Sequence, residues 1–203
     1  MPGSIDPAVL ELFRAKAKAA TIEVAVVQNI QEAMLYAVSL AGKAEPAKVL
    51  PTGTPPKGNG AARKKVLAAP GIPDELYAEL ERQAEAAGVE PVRSGLRDRL
   101  AGIEAAFSIA DLGIAETATL IQQNEREDAR LATMICETHV VALPISSVVK
   151  SAYEAEDYLR AALAKAPNYT SFISGPSRTA DIERVLTLGV HGPLAMHVTL
   201  MEG

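Results

Sequence analysis

The chain has 203 residues, of which 48% are hydrophobic, and its 20 basic and 25 acidic side chains leave a formal net charge of −5. That length and apolar content suit one main domain with a full core, and the absence of a basic block interleaved with aromatics argues against nucleic acid as a partner. Cys136 is the single cysteine, so this chain can build neither an internal disulfide nor an all-cysteine zinc or iron–sulfur site.

No apolar run approaches the ~20 residues of a membrane helix. Residues 1–13 carry Asp6 and Glu11 in place of a charged-then-apolar leader. The expectation is a cytoplasmic protein without a membrane partner.

Asp6-Pro7 opens a helix, with Asp as N-cap and Pro at the first helical position, and Leu10, Phe13 and Ala17 follow at helical spacing to an end near Ala20. Residues 21–27 are rich in β-branched side chains and read as a short strand or extended connector. Asn29 and Glu32 form a capping-box pattern for a second helix, whose face is Ile30, Ala33, Met34, Ala37 and Leu40 and whose stop is Gly42. Residues 1–43 are therefore expected as an N-terminal helical segment packed on the main domain.

Residues 44–65 break the composition with Pro46, Pro51, Pro55, Pro56, Gly53, Gly58 and Gly60. They read as a flexible surface insertion. Gly53 and Gly58 have the spacing of a phosphate loop, but Asn59-Gly60 stands where its lysine and magnesium ligand belong, so that reading fails.

From residue 66 the pattern is strand (66–69), turn (70–73), helix (74–87, with Gly88 at its end) and strand (89–93), a βαβ unit that implies a parallel sheet. Residues 100–109 read as a short helix, and 110–121 as strands interrupted by a tight turn that sets Glu116 and Thr117 in an apolar context. A carboxylate there is either desolvated and available for acid/base or nucleophile chemistry, or paired with backbone donors. Residues 125–130 are a charged, solvated stretch before a short helical segment at 131–134. His139–Leu143 is a core strand, Ser151 with Glu154 caps a helix that Pro167 ends, 169–174 is a strand, and 197–201 is the last strand with Val198 and Leu200 inward. The fold class is α/β, a mostly parallel sheet flanked by helices, with the main domain at 66–203.

His139, His191 and His197 show no metal-ligand spacing, so no metal site is expected, and His191 stands out only for its turn between Gly189 and Gly192-Pro193. The most polar strand end is the segment Ser174-Gly175-Pro176-Ser177-Arg178-Thr179-Ala180-Asp181-Ile182-Glu183, read as a Gly-Pro turn, a cluster of hydroxyls with one guanidinium, and an acidic helical turn. Ligands of open α/β sheets gather at strand C-terminal ends. Ser174, Gly175, Ser177, Arg178, Thr179 and His191 are accordingly candidates for a small organic anion. Asp181 and Glu183 suit the dipole of the expected helical turn but repel an incoming anion, and a pairing of Arg178 with Asp181 would remove the anion-binding role.

This segment, with the following Leu188-Gly189-Val190-His191-Gly192-Pro193, closely resembles the C-terminal signature of the LUD-domain family, in its lactate utilization protein C branch. The stretch Gly113-Ile114-Ala115-Glu116-Thr117-Ala118-Thr119-Leu120 resembles the family's second signature, and the similarity runs from about Val66 to Met201. Ala118 stands where the family usually has glycine, and residues 44–65 resemble an insertion. The resemblance implies a fold like that of the ribose-5-phosphate isomerase, glucosamine-6-phosphate deaminase and CoA-transferase group. It also implies a role in oxidising L-lactate to pyruvate with iron–sulfur partner proteins, and, given one cysteine, no cofactor or redox centre in this chain. The other reading is a stand-alone enzyme on a small carboxylate or sugar-phosphate-like substrate. There Glu116 is the base or nucleophile, Thr117 beside it is a further substrate- or anion-binding residue, Arg178 holds the anion, and Ser177 and Thr179 donate hydrogen bonds.

Overall fold

The structure is a computed structural model and describes residues 5–45, 64–100, 102–165, 168–182, 185–188 and 192–202. Its elements in chain order are α1 (Pro7–Ala19), β1 (Ile22–Val27), α2 (Ile30–Lys43), β2 (Lys65–Ala68), α3 (Asp74–Ala86), β3 (Val89–Val92), β4 (Ile103–Ile109), β5 (Leu112–Ile114), β6 (Thr119–Gln123), α4 (Glu127–Ile135), β7 (Cys136–Pro144), β8 (Val148–Val149), α5 (Glu156–Leu163), β9 (Thr170–Ile173), β10 (Arg178–Ile182), β11 (Val185–Leu188) and β12 (Ala195–Met201). Six strands form one parallel sheet in the order β1-β12-β7-β4-β2-β3, and β8-β5-β6-β9 form a smaller mixed sheet.

The main sheet is buried on both faces, and the period of two along each strand divides its side chains between two cores. Leu67, Ala105, Phe107, Val140 and Ala142 point to the face covered by α2 and α3. On the opposite face, Val66, Ala68 and Ala106 pack under α4, while Val141, Leu143, Val198 and Leu200 pack against α1 and the small sheet. The small sheet comes close enough at Gly113 that a β-carbon there would stand 2.7 Å from Cδ2 of Leu143. A side chain there would force Leu143 to shift, since real side chains do not approach so closely.

The helix starts follow their capping chemistry. The Asp6 carboxylate accepts from the amide of Ala8, and the Asn29 side chain accepts from the amide of Glu32. Glu32 returns a bond to the amide of Gln28, so the box closes one residue earlier than the usual pattern. Gly42 does not stop α2, which runs one residue further to Lys43. Gly88, with φ +72°, follows α3 as expected for a helix end.

Residues Ile103–Ile109 are a strand, β4, where the sequence suggested a helix over 100–109. Glu and Ala favour helix locally, but Ile103, Ala105, Ala106 and Phe107 are all at most 1% exposed. Burial on both faces of a central parallel strand overrides that propensity. Even Glu104 is buried, its carboxylate accepting from the amide of Val66 at 2.7 Å. Of the charged stretch 125–130, residues 127–130 form the first turn of α4. Ser151 makes no side-chain cap; Glu154 accepts from the amide of Lys150, and a 3₁₀ turn at Ala152–Ala155 precedes α5.

The acidic helical turn expected after Ser174–Ser177 is also absent. Residues Arg178–Ile182 are β10, which pairs antiparallel with β11, and the register shifts between Thr179 and Ile182. The helix-dipole role assigned to Asp181 therefore has no helix to act on. Most of the Gly/Pro-rich segment, residues 46–63, lies outside the described residues.

Candidate functional site

The order of the parallel sheet locates a cleft. The chain passes from β2 outward to β3 and then returns to place β4 on the other side of β2, so the connections leaving β2 and β4 diverge. In open α/β sheets, the crevice beyond the carboxyl ends of such a strand pair is where ligands bind. Here that crevice is a cavity of about 40 Å³, reached by Pro70 and Gly71 after β2, Ser108 and Ile109 at the end of β4, Gln122 on β6 and His139 on β7.

Strand alternation explains why the polar groups meet. Ser108 follows Ala106 by two residues on β4, and His139 pairs in register with Ala106 on β7, so both side chains leave the same face. Their Oγ and Nε2 atoms are 2.8 Å apart. Gln122, brought over that face by the small sheet, donates its Nε2 to Ser108 Oγ at 2.6 Å. Gln122 and His139 are 2% and 1% exposed, and Oε1 of the first and Nδ1 of the second have no hydrogen-bond partner among the described residues. Burial pushes the His139 pKa down to about 4, so the imidazole is neutral at physiological pH. Among the described residues, no aspartate, glutamate, lysine or arginine lines the cavity.

The signature segments lie at another place. β9 delivers Ser174, but β9 belongs to the small mixed sheet, so the crevice rule for parallel strands does not apply to its end. The Ser177 amide donates to the Pro193 carbonyl, the Leu194 amide to that of Glu137, and Arg178 Nη2 to that of Ala20 at 3.0 Å. These anchors put the loop beside the N-terminal ends of β1, β7 and β12. Gly175 has φ +118°, and a β-carbon there would stand 3.1 Å from the Ala20 carbonyl oxygen. Glycine is needed at this turn for both conformation and space.

Thr117 and Ser174 are brought into one constellation by Thr119. Their hydroxyls form a chain, Thr117 to Thr119 at 2.8 Å and Thr119 to Ser174 at 2.7 Å. Glu116 lies on the same turn with an exposed carboxylate that accepts from the Ala152 amide at 2.9 Å. Ala118 holds φ +50°, which accounts for a glycine preference at this position. Arg178 is exposed, and one of its five N–H donors goes to Ala20. Gly192 sits against Ser177, where a β-carbon would find Ser177 Cβ at 3.4 Å. The side chains of Thr179 and Asp181, and all of Glu183, Gly189 and His191, lie outside the described residues. Among the described residues no group of three or more His, Cys, Asp and Glu side chains is placed to hold a metal ion.

Sequence reasoning did not find Ser108 and Gln122, and it placed His139 in a core strand with no ligand role. The available signal was the polar run Gln122-Gln123-Asn124 directly after the apolar Leu120-Ile121. Ser108 was hidden because its strand reads as helix.

Comparison with known proteins places this architecture. A family model described as the LUD domain matches residues 10–201. Lactate utilization protein C of Anoxybacillus flavithermus is 34% identical over 101 residues, covering 48% of this chain and 45% of that protein. Lactate utilization protein C of Bacillus subtilis is 31% identical over 91 residues, 43% of this chain and 38% of that protein. The chain thus matches less than half the length of these relatives. The crystal structure of a DUF162 family protein from Deinococcus radiodurans superposes with a TM-score of 0.63 at 17% identity, covering 98% of this chain and 100% of that one, which is a likeness of fold.

Proposed function

The chain belongs to the LUD domain family, and we propose that it serves lactate utilization as a non-redox component of a system that oxidises L-lactate to pyruvate. The observation that supports this reading is the similarity to proteins named lactate utilization protein C. In this reading, electrons leave through iron–sulfur partner proteins. The single cysteine supports the division of labour: Cys136 is 3% exposed and burial raises its thiol pKa, which disfavours the thiolate that a metal or cluster needs. The loop from Ser174 to Arg178 then acts as a partner contact or holds a small organic anion through its hydroxyls and guanidinium. Co-purification of the tagged chain with the iron–sulfur proteins of the pathway tests the proposal. Retention of those proteins, reduced by Arg178→Ala, is the expected result; a chain that leaves them all unbound contradicts it.

A second reading has one specific observation in its favour, the hydroxyl chain that joins the turn carrying Glu116 to Ser174. It makes the chain a stand-alone enzyme of the isomerase or CoA-transferase type, with Glu116 as base or nucleophile on a small carboxylate or sugar-phosphate-like substrate. Turnover that survives both Glu116→Gln and Arg178→Ala, with the fold intact, removes this reading.

A further inference from the structure

We propose that the cleft between the C-terminal ends of β2 and β4 is a separate ligand site, one that takes a small uncharged molecule through a hydroxyl group. The place follows from topology: the connections from β2 and β4 diverge there, which opens a crevice at the carboxyl edge of the sheet. The ligand class follows from the lining. With no charged side chain among the described residues of the wall, a carboxylate or phosphate entering the cleft would lose water and gain no counter-charge.

The hydrogen bonds narrow the class further. Gln122 Oε1 is an acceptor without a donor. If Ser108 donates to His139 Nε2, Nδ1 carries the proton and needs an acceptor. If Nε2 donates to Ser108, Nδ1 needs a donor. A hydroxyl donates one proton and accepts on its oxygen, so a single hydroxyl answers both groups in the tautomer in which Ser108 donates to Nε2: it donates to Gln122 Oε1 and accepts from Nδ1–H. Pro70, Ala106, Ala129 and Ala132 also line the cavity and offer apolar surface to a carbon skeleton. The cavity of about 40 Å³ has room for a water or for the head of a small molecule, whose remainder extends to the open mouth.

The proposal is independent of the pathway reading. Propane-1,2-diol is the probe, and L-lactate, which replaces its hydroxymethyl group with a carboxylate, is the control. In NMR titrations the Gln122 side-chain amide and His139 ring nitrogen signals should move saturably with the diol at roughly millimolar concentration. L-Lactate should require at least about tenfold more. Ser108→Ala, which removes the bridging hydroxyl, should weaken diol binding by about tenfold. Ala132→Val, which narrows the apolar wall and leaves the hydrogen bonds alone, should also weaken it if Ser108→Ala does not fold. Signals that stay unmoved by the diol, or that respond to L-lactate equally or more tightly, overturn the proposal. Either outcome leaves the co-purification test of the pathway reading unaffected.

Discussion

The hydroxyls of Thr119 and Ser174, 55 residues apart in the chain, lie 2.7 Å from each other and tie β6 to the turn that follows β9. Thr119 also reaches Thr117, and it is only 7% exposed. Thr119→Val keeps the shape and removes both bonds, so it should cost about 1–2 kcal/mol in urea denaturation. A double-mutant cycle with Ser174→Ala should give a coupling of roughly 0.5–1 kcal/mol. Strictly additive effects would mean that the contact contributes nothing.

Thr21 and Ala118 both adopt left-handed backbone, with φ 54° and 50°. Thr21 is exposed, so Thr21→Gly relieves strain and loses no packing, and stability should rise by about 1 kcal/mol. Ala118 is 0% exposed within the core under the small sheet. There the loss of a buried methyl, ~0.8 kcal/mol, offsets most of the strain relieved. Thermal melts of the two glycine variants should therefore separate, with Thr21→Gly higher and Ala118→Gly close to the parent.

Gly113→Ala places a methyl against Leu143 and Phe13 at the junction of the two sheets. Overpacking of this kind should destabilise the protein by about 1–3 kcal/mol. Leu143→Val in the same chain makes room and should recover part of the loss, which equilibrium unfolding of the single and double variants can measure.

His139 gives a pH dependence whose sign follows from its burial. Its pKa is depressed from 6.5 to about 4 in the folded protein, so the unfolded chain binds the extra proton between those values. Stability is retained above pH 6.5 and lost as pH falls toward 4, by on the order of 3 kcal/mol. His197, also depressed by partial burial, acts in the same direction. The decisive comparison is the difference between wild type and His139→Gln across that range. The variant should lose markedly less stability on acidification, and parallel curves would refute the assignment.

Local chemistry made much of this legible in advance. Asp6-Pro7 and Asn29 announce helix starts because capping is a property of a few adjacent residues. The unit β2-α3-β3 and the inward Val198 and Leu200 follow from periodicity alone. The strand Ile103–Ile109 was not legible, since an Ala- and Glu-containing segment becomes a central strand only when neighbours cover both of its faces. Nor was the end of β9, because a strand's place in a parallel or a mixed sheet is decided by its partners.

For the sites the division is the same. Sequence alone determined the two signature segments, the family they point to and the single cysteine, because these are properties of residue identity and order. Tertiary structure decided that Thr117, Thr119 and Ser174 form one hydroxyl chain, and that the signature loop lies beside the N-terminal ends of the parallel strands. It also decided that Ser108, Gln122 and His139 meet at the opposite, carboxyl edge. Those three side chains come from strands of two different sheets, and only the register of β4 on β7 and the close approach of the small sheet bring them within hydrogen-bond reach.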